Sequence, residues 1–279
     1  EKLLAELPGE SWGHAMIGPA GENMIVYAGI NNDYFRQAAR GGVGAVMGSK
    51  KLKAVVAKGS GAVPCADIPG GLAFHQKHLA AARVNPAAHH HKASGTSVTL
   101  DVTAPAGMLP TRNFSTGVCE EAYGNIDSEG YNKQEHGSVA CMGCPVPCGK
   151  IIYSTNLDGS ELRIEGPEYE TACLLGSNLD IANLDFVCEA NTLCDNLGMD
   201  TISAGNVIGY IMELTEKGML PEKYAADGIR FGDKQGALRL MKQLAYRRGI
   251  GEIAYGGVKV LAEHIGRREA NQQIQRHRA

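Results

Sequence analysis

Apolar positions recur at helical spacing through the second half of the chain. In residues 183–197, Leu184, Val187, Cys188 and Leu193 hold core-like positions of a helical repeat. In residues 201–217, Ile202, Val207, Ile208 and Ile211 are the apolar positions of a further helix, and Gly218 suits a helix stop. Residues 71–83, 237–248 and 252–265 complete the predicted helices. The beginning differs. Ala15-Met16-Ile17, residues 24–27 and residues 52–56 are short apolar runs that predict strands. Gly18-Pro19-Ala20-Gly21 predicts the turn between the first two. Residues 33–39 are polar and predict a short helix-like stretch, and residues 105–150 predict loops. The pattern implies an α+β chain. A short α/β segment, residues 1–62, precedes a mostly helical domain, residues 63–279.

Composition narrows this picture. The 279 residues, 44% of them hydrophobic, suffice for one large or two ordinary domains. A net charge of -3 gives no electrostatic case for nucleic acid. No apolar run reaches the length of a membrane span. Eight cysteines are few for so long a chain, which argues for a reducing cytoplasm over a disulfide-stapled secreted domain. No internal repeat is visible. His89-His90-His91 reads as a solvated loop. Glu1 is not an initiator Met and no signal-peptide pattern follows, so the chain reads as starting inside a longer protein. Residues 272–279, polar and basic, read as a cut end.

Chemistry concentrates in four segments. Cys141-Met142-Gly143-Cys144-Pro145-Val146-Pro147-Cys148 places three thiols in one loop, enough for three corners of an iron–sulfur cubane or three positions of zinc. Zinc would need a fourth ligand, with Cys119 or His136 as candidates. Gly42-Val43-Gly44-Ala45-Val46-Met47-Gly48 does not fit a dinucleotide fingerprint, because polar residues precede it and a strand is expected after it. It reads as a backbone loop beside an anion, with Arg36, Arg40, Lys50, Lys51 and Lys53 around it, or as a tight structural turn. Glu165-Gly166-Pro167-Glu168-Tyr169-Glu170 reads as a solvated acidic turn, or as the carrier of one carboxylate near a reacting centre. Asp195-Asn196-Leu197-Gly198-Met199-Asp200 ends a helix; its carboxylates could also accept paired N–H bonds from an aminopyrimidine edge such as a pterin's.

Taken in order, these segments resemble the tungsten-containing aldehyde ferredoxin oxidoreductase family. Gly18–Asn23 and Arg40–Lys50 come first, then Asn113-Phe114 with Thr116-Gly117-Val118. The cysteine loop and the two acidic segments follow. The resemblance implies tungsten (or molybdenum) held by two molybdopterins beside one 4Fe–4S cluster. It implies that Cys141, Cys144 and Cys148 are three cluster ligands and that Arg36, Asp195, Met199 and Asp200 contact the pterin. Glu170 matches an acidic residue near the metal that would shuttle protons. The implied reaction oxidises an aldehyde to a carboxylic acid, with ferredoxin as electron acceptor. A homodimer or a complementary subunit is an implied partner. The aromatic-ring reductase of benzoyl-CoA type is the alternative within the family, and a non-catalytic metal-binding or interaction fragment the alternative outside it.

The chain also departs from the family. Members are about twice as long, and the fourth cluster cysteine lies in a carboxy-terminal domain this chain lacks. Where some members bridge subunits with iron through an E-x-x-H helix, Glu189-Ala190-Asn191-Thr192 has Thr in place of His. No bridging iron is expected here; a metal held by Glu189 at a two-fold interface would overturn this. The 279 residues alone are expected to be inactive. Aldehyde-dependent viologen reduction by the isolated chain is the measurement that would contradict it.

Overall fold

The computed structural model describes residues 12–33 and 35–266. Residues 1–11, Tyr34 and 267–279, including the polar end, lie outside the described residues. Two antiparallel sheets and a set of helices share one core. The first sheet has the order β3-β2-β1-β4, from Arg36–Ala38, Ile30–Asn32, Gly13–Met16 and Ala54–Ala57. Every pairing in it is antiparallel, so the first segment is α+β rather than α/β in its pairing. The second sheet, order β5-β6-β7, uses Glu135–Val139, Gly149–Thr155 and Glu161–Glu165. It lies inside the part expected to be mostly helical.

The long helices follow the apolar repeat. Asn183 caps Leu184–Leu197 by accepting the Phe186 N–H at 3.0 Å, and Gly198 ends it in the left-handed region. Leu184, Val187 and Cys188 are buried. Asp200 then caps Thr201–Glu216, accepting from Ser203 N at 3.0 Å. The helices Ile68–Val84 and Lys234–Tyr246 contain the expected 71–83 and cover most of 237–248. The last predicted helix is split: Gly251–Ala254 and Gly257–Ile265 are separated at Tyr255-Gly256, where Gly257 has a φ of +78°.

Several local expectations are corrected. Residues 24–27 are turns, because Met24 sits in the left-handed region and Ile25 N bonds Ala20 O. Gly18–Gly21 is no plain turn: Pro19–Glu22 forms a helical turn with Pro at its start. The polar stretch 33–39 holds strand β3, which pairs with β2 across Asn31 and Gln37. After Gly42 comes the helix Val43–Ser49, not a strand. Its glycines serve packing: a Cβ on Gly48 would meet Gly21 O at 1.9 Å. Lys50, Lys51 and Lys53 are exposed, and Lys53 pairs with Glu22. Residues 105–150 include the helix Ser128–Gln134 and β5, and His89–His91 lies on the helix Pro86–Ser94.

The two parts meet along a backbone seam. Gly29 N bonds Gly198 O, Asp200 N bonds Tyr27 O, both at 2.9 Å, and Ala28 pairs with Met199 as an isolated bridge. Gly18 lies so close to the end of the helix Leu184–Leu197 that a Cβ would stand 2.4 Å from the Leu197 backbone. Ala20, Ile25, Tyr27 and Ala28 join the helices in one hydrophobic cluster. Gly18→Ala must push the seam apart and is expected to cost about 1–3 kcal/mol, as overpacking does. Gly59→Ala, in open space, is the control. Urea unfolding of both variants checks this; equal midpoints would contradict it.

Candidate functional site

An open cleft of about 280 Å³ lies where the two parts meet. β3 contributes Arg36 and Gln37, the end of β7 contributes Glu165, and the following turn contributes Glu168. Asn191 and Asp195 come from the helix Leu184–Leu197, four residues apart and so on one face. Thr171 and Thr201 close the floor, their hydroxyls 2.8 Å apart.

Asp195 is the most perturbed carboxyl in the cleft. Burial pushes it from 3.8 up to about 7, and the hydrogen bond from Gln37 offsets this only in part. Asn191 Nδ2 donates to its Oδ2 at 3.2 Å, and Asn31 Nδ2 donates to its backbone carbonyl. Glu165, read from the sequence as part of a solvated turn, is buried, and its Oε1 stands 2.8 Å from Arg36 Nη2. Burial raises the Glu165 carboxyl while Arg36 pulls it down. For Arg36, burial opposes the charge, but Glu165, Cys141 and Glu168 together leave its pKa raised.

The cysteine loop is built by two tight turns. Cys144 N bonds Cys141 O at 3.0 Å around Gly143, whose φ is +74°. Cys148 N bonds Val146 O at 3.0 Å, just before β6. Cys141 and Cys144 are exposed and Cys148 is half-buried. Burial first, then Glu168, Cys141 and Cys144, raise the Cys148 thiol. Raised in this way, the Cys148 thiol keeps its proton more readily than a free cysteine does, and binding a metal would have to displace it.

Not every residue singled out from the sequence enters the cleft wall. Arg36 and Asp195 do. Glu170 is exposed and outside the lining, on the turn Tyr169–Thr171. Met199 is fully buried at the seam. Asp200 is spent as a cap on Ile202 N, Ser203 N and the Ser203 hydroxyl. Glu189 Oε2 accepts the Leu157 N–H at 2.7 Å. Sequence reasoning missed Gln37, Glu165 and Asn191 as lining groups. Only Asn191 carried a usable signal, its i−4 spacing from Asp195.

The donor set suits a pterin and a cluster. Arg36 and Asp195 stand in one cleft wall, so a ligand carrying both anionic groups and N–H groups has a cation and a buried carboxyl to bind. Among the described residues no group of three His, Cys, Asp or Glu side chains converges on one metal ion. Cys119 lies in another pocket with Asp180 and Lys234, and His136 stacks on Tyr153.

The known proteins this chain is similar to carry oxidoreductase or reductase names. The family model described as aldehyde ferredoxin oxidoreductase, N-terminal domain, matches residues 1–59, and the model for domains 2 and 3 matches residues 74–277. The chain belongs to the aldehyde ferredoxin oxidoreductase family. It is 38% identical over 265 residues to the tungsten-containing aldehyde ferredoxin oxidoreductase of Thermococcus kodakarensis, covering 94% of this chain and 43% of that protein. It is 37% identical over 265 residues to the enzyme of that name from Pyrococcus furiosus, with the same coverage. The chain thus spans less than half the length of these relatives. Among solved structures, the active site complex of benzoyl coenzyme A reductase with 1,5-dienoyl-CoA superposes with a TM-score of 0.74 at 25% identity. That match covers 97% of this chain and 42% of the other. Among the described residues no helix is long and apolar enough to cross a membrane.

Asp195 has a pH consequence. Its folded pKa, about 7, lies above the ordinary 3.8, so the folded state keeps a proton that the unfolded state releases. The stability linked to this proton is full below 3.8 and is lost as the pH rises to about 7. Protein prepared without cofactor should lose urea stability across that window. Asp195→Asn should flatten the slope; parallel slopes in both proteins would contradict the assignment.

Proposed function

We propose that this chain carries one wall of a tungstopterin site and three of the ligands of a neighbouring 4Fe–4S cluster, in an enzyme oxidising aldehydes to carboxylic acids. The observation that carries this is the cleft of Arg36, Glu165 and Asp195 set beside the Cys141–Cys148 loop, with Cys141 near enough to act on the charge of Arg36. When bound, the metal centre would take two electrons from the aldehyde and the cluster would pass them singly to ferredoxin. The rest falls to the chain. Cys141, Cys144 and Cys148 would hold the cluster by their thiolates. Arg36 would offer positive charge to the pterin's anionic groups. Asp195 would accept N–H bonds from its aminopyrimidine edge and, pushed up to about 7, could hold a proton there at neutral pH.

Met199 and Asp200 would serve the pterin through the turn they build: one fills the seam and the other caps the next helix. Glu170, exposed at the rim, would carry protons between the reacting water and bulk solvent. Net, aldehyde and water give the acid, two protons and two electrons. A reductive reaction on an aromatic acyl-CoA is the second reading, supported by the fold shared with benzoyl coenzyme A reductase.

Metal analysis for W, Mo, Fe and Zn on anaerobically prepared protein tests the proposal. Tungsten or molybdenum with several irons per chain is expected, and Cys144→Ser should lose most of the iron. Stoichiometric zinc with no tungsten or molybdenum would overturn it. Viologen reduction with aldehydes, against viologen oxidation with aromatic acyl-CoA esters, separates the two reactions.

A further inference from the structure

One buried carboxylate touches both halves of the proposed centre. Glu165 is the last residue of β7 and pairs in register with Ile151 of β6. Its side chain is 8% exposed, and Oε1 stands 2.8 Å from Arg36 Nη2 across the cleft. The same oxygen presses on the strand that leaves the cysteine loop. A Cβ built on Gly149, the residue after Cys148, would lie 2.2 Å from Glu165 Oε1. Only a glycine leaves room there for the carboxylate. Behind this contact the strand is pinned by Lys150, itself buried. Its Nζ donates to Lys92 O at 2.7 Å and Ser138 Oγ at 3.0 Å, and stands 3.1 Å from Glu135 Oε1. Gly149 therefore cannot retreat from Glu165, and Cys148 leaves a fixed base while Cys141 and Cys144 ride an exposed turn.

We propose that Glu165 is a positioning residue that couples the cysteine loop to the cofactor cleft, holding Arg36 in the cleft wall while bearing on the backbone beside Cys148. The proposal rests on the cluster-and-pterin reading above. Stability alone does not account for the residue. A buried ion pair gains little over apolar residues of the same volume. Glu165 Oε1 also has no well-aligned hydrogen bond within the fold, only the charge of Arg36. What the pair does supply is direction. It fixes where a guanidinium with a 43% exposed side chain points, close to both Cys141 and the cleft.

Two substitutions test this in the native protein purified anaerobically. Glu165→Gln keeps the shape and removes the charge, leaving Arg36 uncompensated. It should raise the midpoint potential of the cluster and lower the pterin and tungsten content, with little change in melting temperature. Gly149→Ala changes no charge but drives the carboxylate off Arg36, and should likewise lower the pterin and tungsten content. If Gly149→Ala does not fold, Glu165→Gln decides by itself. A loaded wild type whose Glu165→Gln form keeps the same potential and cofactor content overturns this proposal alone. A wild type with neither iron nor tungsten and molybdenum overturns the functional reading and this proposal together.

Discussion

The backbone seam between residues 27–29 and 198–200 is the constraint on which the rest depends. Its hydrogen bonds join main chain to main chain, so they do not vary with side-chain rotamers. They set the helix stop at Gly198 against the first sheet and leave Asp195, one turn earlier, facing Gln37. Gly18 has no room for a side chain at this point, which brings the two backbones into direct contact. The cleft is a consequence of that contact: its walls come from both sides, Arg36 and Gln37 from one and Glu165, Asn191 and Asp195 from the other.

Electrostatics inside the cleft follow from burial on those terms. Asp195 is drawn away from water with only amide partners, so its neutral form gains. Glu165 is drawn in with a guanidinium, and the two effects on its charge oppose each other. Membership of the aldehyde ferredoxin oxidoreductase family gives these unlike carboxyls a common context. Burial without a countercharge decides the first, and burial beside a guanidinium the second.

The helices were legible because their signal is local. Leu184, Val187 and Cys188 mark a buried face within two turns, and Asn183 and Gly198 mark its ends. The Asp195–Asp200 segment was legible as a helix end for the same reason. The second sheet was not read, although Asp158-Gly159 between two apolar runs is a hairpin signal and Gly159 does adopt a φ of +85°. β3 was misread because its three residues, Arg36 to Ala38, are too few and too polar to show an alternation. Which carboxylate of the Glu165–Glu170 segment is buried could not be read. Three carboxylates in six residues look solvated until a strand from the other sheet covers one of them.

Sequence alone determined the helical faces and their caps, the α+β class, the three-thiol spacing and the family. Each depends on neighbours a few residues apart or on motifs that keep their order. Tertiary structure decided which of the named residues meet. It put Arg36 and Asp195 in one wall, left Glu170 outside it, buried Met199 and committed Asp200 to a cap. The physical reason is that strand pairing and seam contacts join residues distant along the chain. Such contacts are set by packing and backbone hydrogen bonds, which leave little trace in any local window. For the cysteine loop, the spacing pointed to a metal; the folded chain set Glu165 against both Arg36 and Gly149, the residue after Cys148.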